Sequence, residues 1–114
     1  MLAAQASECA ADQGQFWVYH DLLFENQIKK NTGGFSKDNL KFFAGELELD
    51  TSVFNDCLDS NPYISIIQEQ TGTASSLGFQ GTPAFLINGK PLVGAQTFEQ
   101  FQKYIEEALQ EVAP

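Results

Sequence analysis

The sequence predicts a mainly helical α+β protein in which about four helices are followed by a tight β-hairpin and a final helix. Over residues 1–77 the apolar residues recur mostly at three- and four-residue spacings, which is the period of an α-helix. A short apolar run then lies between a proline and an Asn-Gly pair, a pattern typical of a strand that enters a hairpin. A length of 114 residues is typical of one domain, so we predict one domain with a helical region, 1–77, and a β-β-α end, 78–114.

The first predicted helix extends from about Leu2 to Gln27, a stretch without proline. Its apolar face comprises Ala6, Cys9, Ala10, Phe16, Trp17, His20, Leu23 and Phe24. Gly14 lies in the middle, and glycine destabilises a helix interior by about 1 kcal/mol relative to alanine, so a kink or a break there is compatible with the pattern. The polar, glycine-containing stretch Lys29–Gly34 predicts a loop.

Capping residues mark the next two predicted helices. Ser36 is an N-cap for a short helix that ends at about Glu46, and apolar residues flank it at the offsets of a hydrophobic staple. Asp50 repeats this arrangement for a helix that ends near Asp59. The apolar face of this second helix comprises Val53, Phe54, Cys57 and Leu58.

Asn61 and Pro62 predict the start of a further helix, with the asparagine as N-cap and the proline at the first helical position. This helix should end at about Leu77. Its predicted buried face comprises Tyr63, Ile66, Ile67, Ala74 and Leu77.

The end of the chain predicts two strands and a helix. Ala84–Ile87 is a compact apolar strand, Asn88-Gly89 is a hairpin turn, and Pro91–Gly94 is the returning strand. Thr97 then begins an amphipathic helix as part of a capping box. The apolar stripe of that helix comprises Phe98, Phe101, Ile105, Ala108, Leu109 and Val112.

The charge of the chain excludes some classes of partner. Fifteen acidic residues against six basic ones give a net charge of -9, and this field repels nucleic-acid phosphates and anionic lipid. No apolar run approaches the roughly 18 residues of a membrane span, and Met1–Gln5 lacks the pattern of a signal peptide. We therefore predict neither nucleic acid nor a membrane span for this chain.

The two cysteines, Cys9 and Cys57, are too far apart in sequence to form the Cys-x-x-Cys motif of a dithiol active site. No catalytic residue is therefore assigned. A disulfide between them would stabilise the fold by roughly 3 to 4 kcal/mol and would indicate an oxidising compartment. Two buried free thiols fit the sequence equally well, because spacing contains no geometric information.

The remaining residue types indicate no other chemistry. His20 is the only histidine, and its apolar neighbours favour a structural role on a helix face. No group of His and Cys residues has the spacing of metal ligands, so we predict no metal and no cofactor.

The Gly81–Pro83 loop lies directly before a predicted buried strand, a position at which an X-Pro bond can be cis. A trans proline that begins the strand is the ordinary arrangement. The residues alone favour trans.

Two segments resemble the DsbA-like thiol-disulfide oxidoreductases, which have a thioredoxin fold with a helical insertion. Residues 81–90, GTPAFLINGK, with 93–96, VGAQ, look like the cis-proline loop and terminal hairpin of that family. Residues 10–17, AADQGQFW, with His20-Asp21 and Leu23-Phe24, are similar to the first helix of the insertion. The resemblance covers nearly the whole chain.

The resemblance implies a partial thioredoxin-like fold in which Pro83 is cis. It also implies that Thr82 and Pro83 belong to the loop that binds substrate polypeptide, and that Cys9 and Cys57 form a disulfide. The family's first strand and its Cys-x-x-Cys helix would both precede Met1. The chain would then be a fragment that is inactive alone.

Our hypothesis is thus a fragment of a DsbA-like enzyme of the periplasm, cell envelope or secreted fraction, whose parent acts on extended polypeptides. The alternative is a standalone, non-catalytic peptide-binding module of thioredoxin-like ancestry. In either case the strand Ala84–Ile87 would lack a neighbour on one side. We expect this bare edge to be covered by dimerisation or by strand exchange.

Overall fold

A computed structural model describes residues 1–27 and 34–112. Most of the predicted loop, Lys29–Gly34, lies outside the described residues. The elements are α1 (Leu2–Ala11), α2 (Phe16–Glu25), α3 (Lys37–Glu46), α4 (Thr51–Ser60), α5 (Ile64–Ser76), β1 (Ala84–Ile87), β2 (Lys90–Val93) and α6 (Phe98–Glu111). The chain divides into two compact units, Met1–Gln70 and Thr71–Pro114, which we call the helical unit and the hairpin unit.

The prediction of one long N-terminal helix is wrong, because the chain turns between α1 and α2. Gly14 has φ +72°, which only glycine adopts at little cost, and its N–H donates to the carbonyl of Ala11 at 2.9 Å. The next N–H, that of Gln15, reaches back to the carbonyl of Ala10 at 3.0 Å. The break that the glycine allows is therefore a full turn, and in the described residues five helices, rather than about four, precede the hairpin.

The core of the helical unit is closely packed. Eight of its side chains are at most 1% exposed: Ala6, Cys9, Ala10, Tyr19, Leu40, Ala44, Phe54 and Leu58. The small residues of α1 let neighbouring helices approach, while Tyr19 and Phe54 fill the centre with ring centroids 5.5 Å apart. The Tyr19 hydroxyl donates to the carbonyl of Leu40 at 2.9 Å, so its one polar group is satisfied.

The predicted caps of α3 and α4 are confirmed. The Ser36 hydroxyl accepts from the N–H of Asn39 at 3.3 Å, and the Asp50 carboxylate accepts from the N–H of Val53 at 3.2 Å. Gln13 fixes the second cap, because its side-chain amide donates to the carbonyl of Asp50 and accepts from the N–H of Asp50. The turn after α1 is thereby attached to the start of α4.

The predicted role of Asn61 is wrong. It does not begin a helix; it ends α4 in the left-handed conformation, with φ 63° and ψ 48°, and its N–H donates to the carbonyl of Cys57 at 3.0 Å. Asparagine is one of the few residues other than glycine that tolerate this conformation. α5 consequently begins two residues after Pro62, at Ile64.

Several residues of the predicted apolar faces are exposed, including two of the α5 face that we predicted to be buried. On α5, Ile67 is buried, but Ile66 is 50% exposed and Leu77, which follows the helix, is 47% exposed. The others are Trp17 and Phe24 on α2, and Phe98, Ile105 and Leu109 on α6 with Val112 at its end. The helical period thus predicts a face correctly without predicting whether that face is covered.

The hairpin has the predicted form. β1 pairs antiparallel with β2, with Ala84 opposite Val93 and Ile87 opposite Lys90. Asn88 and Gly89 have positive φ angles of 49° and 84°, as a tight primed turn requires.

One face of the hairpin packs against α6. Phe85 meets Phe101 edge to face at 5.0 Å, and Leu92 is 6% exposed. The Lys90 ammonium lies 2.7 Å from the Glu111 carboxylate, which raises the pKa of Lys90. The Thr97 hydroxyl caps α6 by accepting from the N–H of Gln100, as predicted.

Candidate functional site

The Gly81–Pro83 loop is held at the base of the hairpin. The Thr82–Pro83 peptide bond is cis. The Pro83 carbonyl accepts from the N–H of Gly94 at 2.7 Å, which joins the loop to the residue that follows β2. Gly94 itself has φ +92°, so a side chain would be strained at that position. The loop that precedes β1 is therefore hydrogen-bonded to the residue that follows β2.

A cavity of about 310 Å³ opens beside this loop within the hairpin unit. Its lining residues are Ala74, Phe79, Gln80, Gly81, Thr82 and Ala84. None of these side chains carries a charge, and the walls made by Ala74, Phe79 and Ala84 are apolar. The cavity can therefore accommodate an uncharged or apolar group.

The loop beside the cavity also presents unpaired backbone groups. Among the described residues, no hydrogen bond is made by the backbone or hydroxyl of Thr82, and both Thr82 and Pro83 are exposed. The ladder between the strands begins only at Ala84. Exposed backbone donors and acceptors directly before a strand can pair with an extended peptide, since such pairing continues the geometry of a sheet.

The two cysteines are joined in a disulfide, which connects α1 with α4. Their Cα atoms are 5.9 Å apart, within the usual range for a disulfide. Cys9 is buried at 1% exposure, whereas Cys57 is only partly buried at the edge of the core. This bridge lies in the helical unit and the Thr82–Pro83 loop lies in the hairpin unit.

A polar cluster adjoins the disulfide. The Asp12 carboxylate lies 3.8 Å from the Cys57 sulfur, and its other oxygen accepts a hydrogen bond from the Tyr63 hydroxyl. This hydrogen bond from the phenol to the carboxylate raises the pKa of Tyr63, with smaller contributions from partial burial and from the charges of Asp12 and Glu8. This cluster could not be predicted from the sequence, because no local pattern relates Asp12, after α1, to Tyr63, before α5.

His20 has a different environment from that of a catalytic base. Its ring lies 4.8 Å from Phe24 and 5.1 Å from Trp17, and its Nδ1 lies 3.1 Å from the carboxylate of Asp21 beside it. Within residues 1–27 and 34–112, no group of three His, Cys, Asp or Glu residues is arranged to hold a metal ion.

A helical unit, a loop with a cis-proline, a hairpin and a final helix together define a partial thioredoxin-like fold of the kind found in thiol oxidoreductases with a helical insertion. A family model described as thioredoxin matches residues 1–107. The chain is 26% identical over 112 residues to a probable disulfide bond formation protein D of Bacillus cereus, covering 95% of this chain and 51% of that protein. The chain belongs to the thioredoxin family, and its relatives there are the DsbA-like proteins.

Other relatives have a different name. The chain is 35% identical over 94 residues to a Na(+)/H(+) antiporter NhaA of Herminiimonas arsenicoxydans, covering 82% of this chain and 14% of that protein. It is 33% identical over 107 residues to a Na(+)/H(+) antiporter NhaA 1 of Salinispora arenicola, covering 94% of this chain and 16% of that protein. The chain thus spans a small part of these relatives and about half of the Bacillus cereus protein.

None of the helices described in residues 1–27 and 34–112 is long and apolar enough to cross a membrane.

Proposed function

We propose that this chain is the polypeptide-binding part of a DsbA-like thiol-disulfide oxidoreductase, whose parent protein transfers disulfides to extended polypeptides. The observation that supports this most directly is the unpaired backbone of Thr82 beside the uncharged cavity. A substrate segment would lie extended along Gly81 and Thr82, exchanging backbone hydrogen bonds with the loop. An apolar side chain of the substrate would enter the cavity between Phe79 and Ala84.

The redox step would need thiols that this sequence does not contain. Its cysteines are joined to each other, and no Cys-x-x-Cys motif occurs in the 114 residues. Loop and cavity would therefore position a substrate disulfide or thiol, and a dithiol of the parent protein would exchange electrons with it. The chain alone is expected to be inactive.

Peptide binding tests the first part of the proposal. The ligand is a ten-residue, uncharged peptide with an apolar centre and serine in place of cysteine, titrated into isotopically labelled protein. In NMR spectra the backbone amide resonances of Gly81 and Thr82 should show the largest chemical-shift changes. Ala74→Leu, which fills the cavity from α5, should weaken binding about tenfold, because it removes the space for one side chain. Ser75→Leu adds the same side chain one position outside the lining and is the matched control.

Equal weakening by the two variants would reject the cavity as the binding site. Shifts confined to the helical unit would reject the loop as well.

Reduction of insulin tests the redox part. The chain should not accelerate insulin reduction by dithiothreitol above the rate without protein. Multiple turnovers would show that the chain has a redox site of its own and would contradict the role as a fragment.

The alternative is a standalone module that holds extended peptides without redox chemistry. Its support is that loop, cavity and hairpin all lie within the hairpin unit, and none of them needs a dithiol for its geometry. The gene distinguishes the two proposals. An in-frame Cys-x-x-Cys within about a hundred codons upstream of Met1 supports the enzyme fragment, whereas a ribosome-binding site directly upstream supports the module.

We propose the periplasm, the cell envelope or the secreted fraction as the location of the parent protein. The Cys9–Cys57 disulfide supports this, because disulfides persist in oxidising compartments. The name of the Bacillus cereus relative is consistent with this location.

The relatives named as antiporters suggest a second context, in which such a domain is attached to a transport protein. Long apolar segments encoded in frame beside the chain would favour that second context.

We further propose that the outer edge of β1 pairs with a second copy of the chain. Within the described residues β1 has β2 as its one strand neighbour, and Phe85 and Leu86 are 37% and 47% exposed. Exposed edges of this kind associate readily. Light scattering at high protein concentration should give the mass of a dimer, and a monomer mass throughout would contradict this pairing.

A further inference from the structure

We propose that the Cys9–Cys57 disulfide is a thiol-exchange site with a fixed direction and a charge preference: external thiols attack the Cys57 sulfur, and neutral or cationic thiols react faster than anionic ones. The site is separate from the loop of the proposed function. It rests on the burial of the two sulfur-bearing residues and on the carboxylate beside one of them.

The difference in burial between Cys9 and Cys57 determines which sulfur an external thiolate attacks. Cys9 is 1% exposed and belongs to the closely packed core, so an incoming thiolate cannot approach its sulfur without opening the helical unit. Cys57, one turn before the end of α4, is partly exposed. Attack on a disulfide depends on access to the sulfur attacked. Cys57 is therefore the acceptor, and Cys9 is the leaving group.

The charges beside Cys57 set the preference. An oxygen of Asp12 lies 3.8 Å from the Cys57 sulfur, and the hydrogen bond from Tyr63 to the other oxygen fixes the orientation of the carboxylate. Glu8 lies one turn earlier on α1 and adds a second negative charge close enough to raise the pKa of Tyr63. A thiolate that carries a further carboxylate is repelled by this pair, whereas an ammonium group on the thiol is attracted.

Two successive thiol–disulfide exchanges reduce the Cys9–Cys57 bridge. A thiolate RS⁻ forms a bond to the Cys57 sulfur, the Cys9–Cys57 bond breaks, and Cys9 leaves with the bonding electron pair and takes a proton from water. A second thiolate then attacks the sulfur of the added RS group, and Cys57 leaves as a thiolate that is protonated in turn. Two external thiols are oxidised to one disulfide RSSR, and the protein disulfide gains two electrons to become two thiols.

The preferred reactant is accordingly a thiol beside a positive charge. It can be a small aminothiol or a polypeptide cysteine flanked by lysine or arginine. The two sources share the chemistry that Asp12 and Glu8 would recognise. Parallel reactions with cysteamine and with a short Lys-Cys-Lys peptide separate them by their rates.

The first test locates the adduct. The intact chain is treated with cysteamine, quenched in acid after a few per cent of reaction, and digested for mass mapping. The mixed disulfide should lie on Cys57. An adduct on Cys9, or a rate that does not rise with thiol concentration because the chain must open first, would overturn the proposal.

The second test measures the charge preference. Rates with cysteamine, 2-mercaptoethanol and mercaptoacetate are expressed per thiolate and divided by the rates of the same thiols with uncharged dimethyl disulfide, which contains none of the three thiols. At low salt the normalised rate with cysteamine should exceed that with mercaptoacetate about tenfold, and high salt should reduce the ratio.

Asp12→Asn keeps an oxygen that can accept from Tyr63 and removes the charge, so the ratio should fall to about threefold or less. Glu46→Gln, which removes a carboxylate from the last turn of α3, is the matched control and should leave the ratio unchanged. A ratio near one in the unaltered chain, or equal changes in the two variants, would overturn the role of Asp12.

Discussion

The helical unit and the hairpin unit differ in how completely they bury their large apolar side chains. In the helical unit, large side chains such as Tyr19, Phe54, Leu40 and Leu58 are completely buried. In the hairpin unit, Leu92 and Ala108 are the buried apolar residues of its described part. Its exposed large apolar residues are Leu77, Phe85, Leu86, Val93, Phe98, Ile105, Leu109 and Val112. The helical unit also exposes large apolar residues, among them Trp17, Phe24 and Phe42, but it encloses a core of large side chains, whereas the described part of the hairpin unit buries little beyond Leu92.

This difference follows from the number of elements available. In the helical unit α2, α3 and α4 pack around α1, and together these four helices enclose a core. A two-stranded hairpin is marginal by itself, and a single helix can cover only one of its faces. α6 covers the face of Phe85, while Leu86 and Val93 on the other face are 47% and 49% exposed. An apolar surface of this kind is typical of an interaction site.

Truncation of one phenylalanine in each unit tests the difference in burial between the two units most directly. Phe54→Ala removes a fully buried ring at the centre of the helical unit and should lower the free energy of unfolding by about 3 to 5 kcal/mol. Phe98→Ala removes a ring that is 77% exposed and should change it by less than about 0.5 kcal/mol. Urea unfolding followed by far-UV circular dichroism measures the helices of both units, and the fluorescence of Trp17, the only tryptophan, reports the helical unit separately. Similar losses in both variants would show that α6 is packed as tightly as the core.

The parts of this fold that sequence reasoning predicts correctly are those fixed by local chemistry. Ser36, Asp50 and Thr97 cap their helices as expected, because a cap is decided within four residues. The hairpin turn is equally local, since Asn88 and Gly89 are residues that accept positive φ angles.

What the sequence could not predict depends on distant partners. Asn61 suits both the start and the end of a helix, and only the packing of α4 decides that it ends one. The stripe on α6 has the period of a buried face, yet burial requires a covering element that the period cannot reveal. The spacing of Cys9 and Cys57 left their pairing open, and the position of Asp12 beside the bridge results from the contact of two helices.

Removal of the disulfide tests whether the helical unit owes its stability to packing or to the covalent bond. The double variant Cys9→Ser and Cys57→Ser should lose about 2 to 4 kcal/mol, because the bridge restricts the unfolded chain over a long loop. Thermal unfolding followed by circular dichroism measures the loss. A reduced sample of the unaltered protein is the control and should lose a similar amount. If the variant unfolds completely, the core alone is insufficient.

The hairpin turn tests local stability in the hairpin unit. Gly89 has φ +84° and no neighbour within 4 Å of an added Cβ, so Gly89→Ala acts through the backbone alone. It should destabilise the hairpin by about 1 to 2 kcal/mol. Hydrogen exchange at the amides of β1 and β2 reports this change. Gly72→Ala, also without steric contact but within α5, is the matched control and should be stabilising. Slower exchange in Gly89→Ala would contradict the turn geometry.

Substitution of Tyr19 should have a small effect on the free energy of unfolding, but it tests burial in the helical unit directly. Tyr19→Phe keeps the ring and removes the hydrogen bond to the Leu40 carbonyl, so the loss near neutral pH should be about 1 kcal/mol. Burial raises the pKa of the Tyr19 hydroxyl well above its ordinary value. Below about pH 10 the phenol is protonated in both the folded and the unfolded chain, and its contribution is fully present.

Above that pH the unfolded chain releases the proton first, so stability is lost as the pH rises toward the folded pKa. Unfolding curves of the unaltered chain, followed by Trp17 fluorescence, should therefore shift to lower denaturant between about pH 9 and 11. Those of Tyr19→Phe should shift less. Tyr104→Phe alters a partly exposed tyrosine in the hairpin unit and is the matched control. Equal alkaline shifts in the unaltered chain and in Tyr19→Phe would mean that the core of the helical unit is open enough for its central phenol to ionise freely.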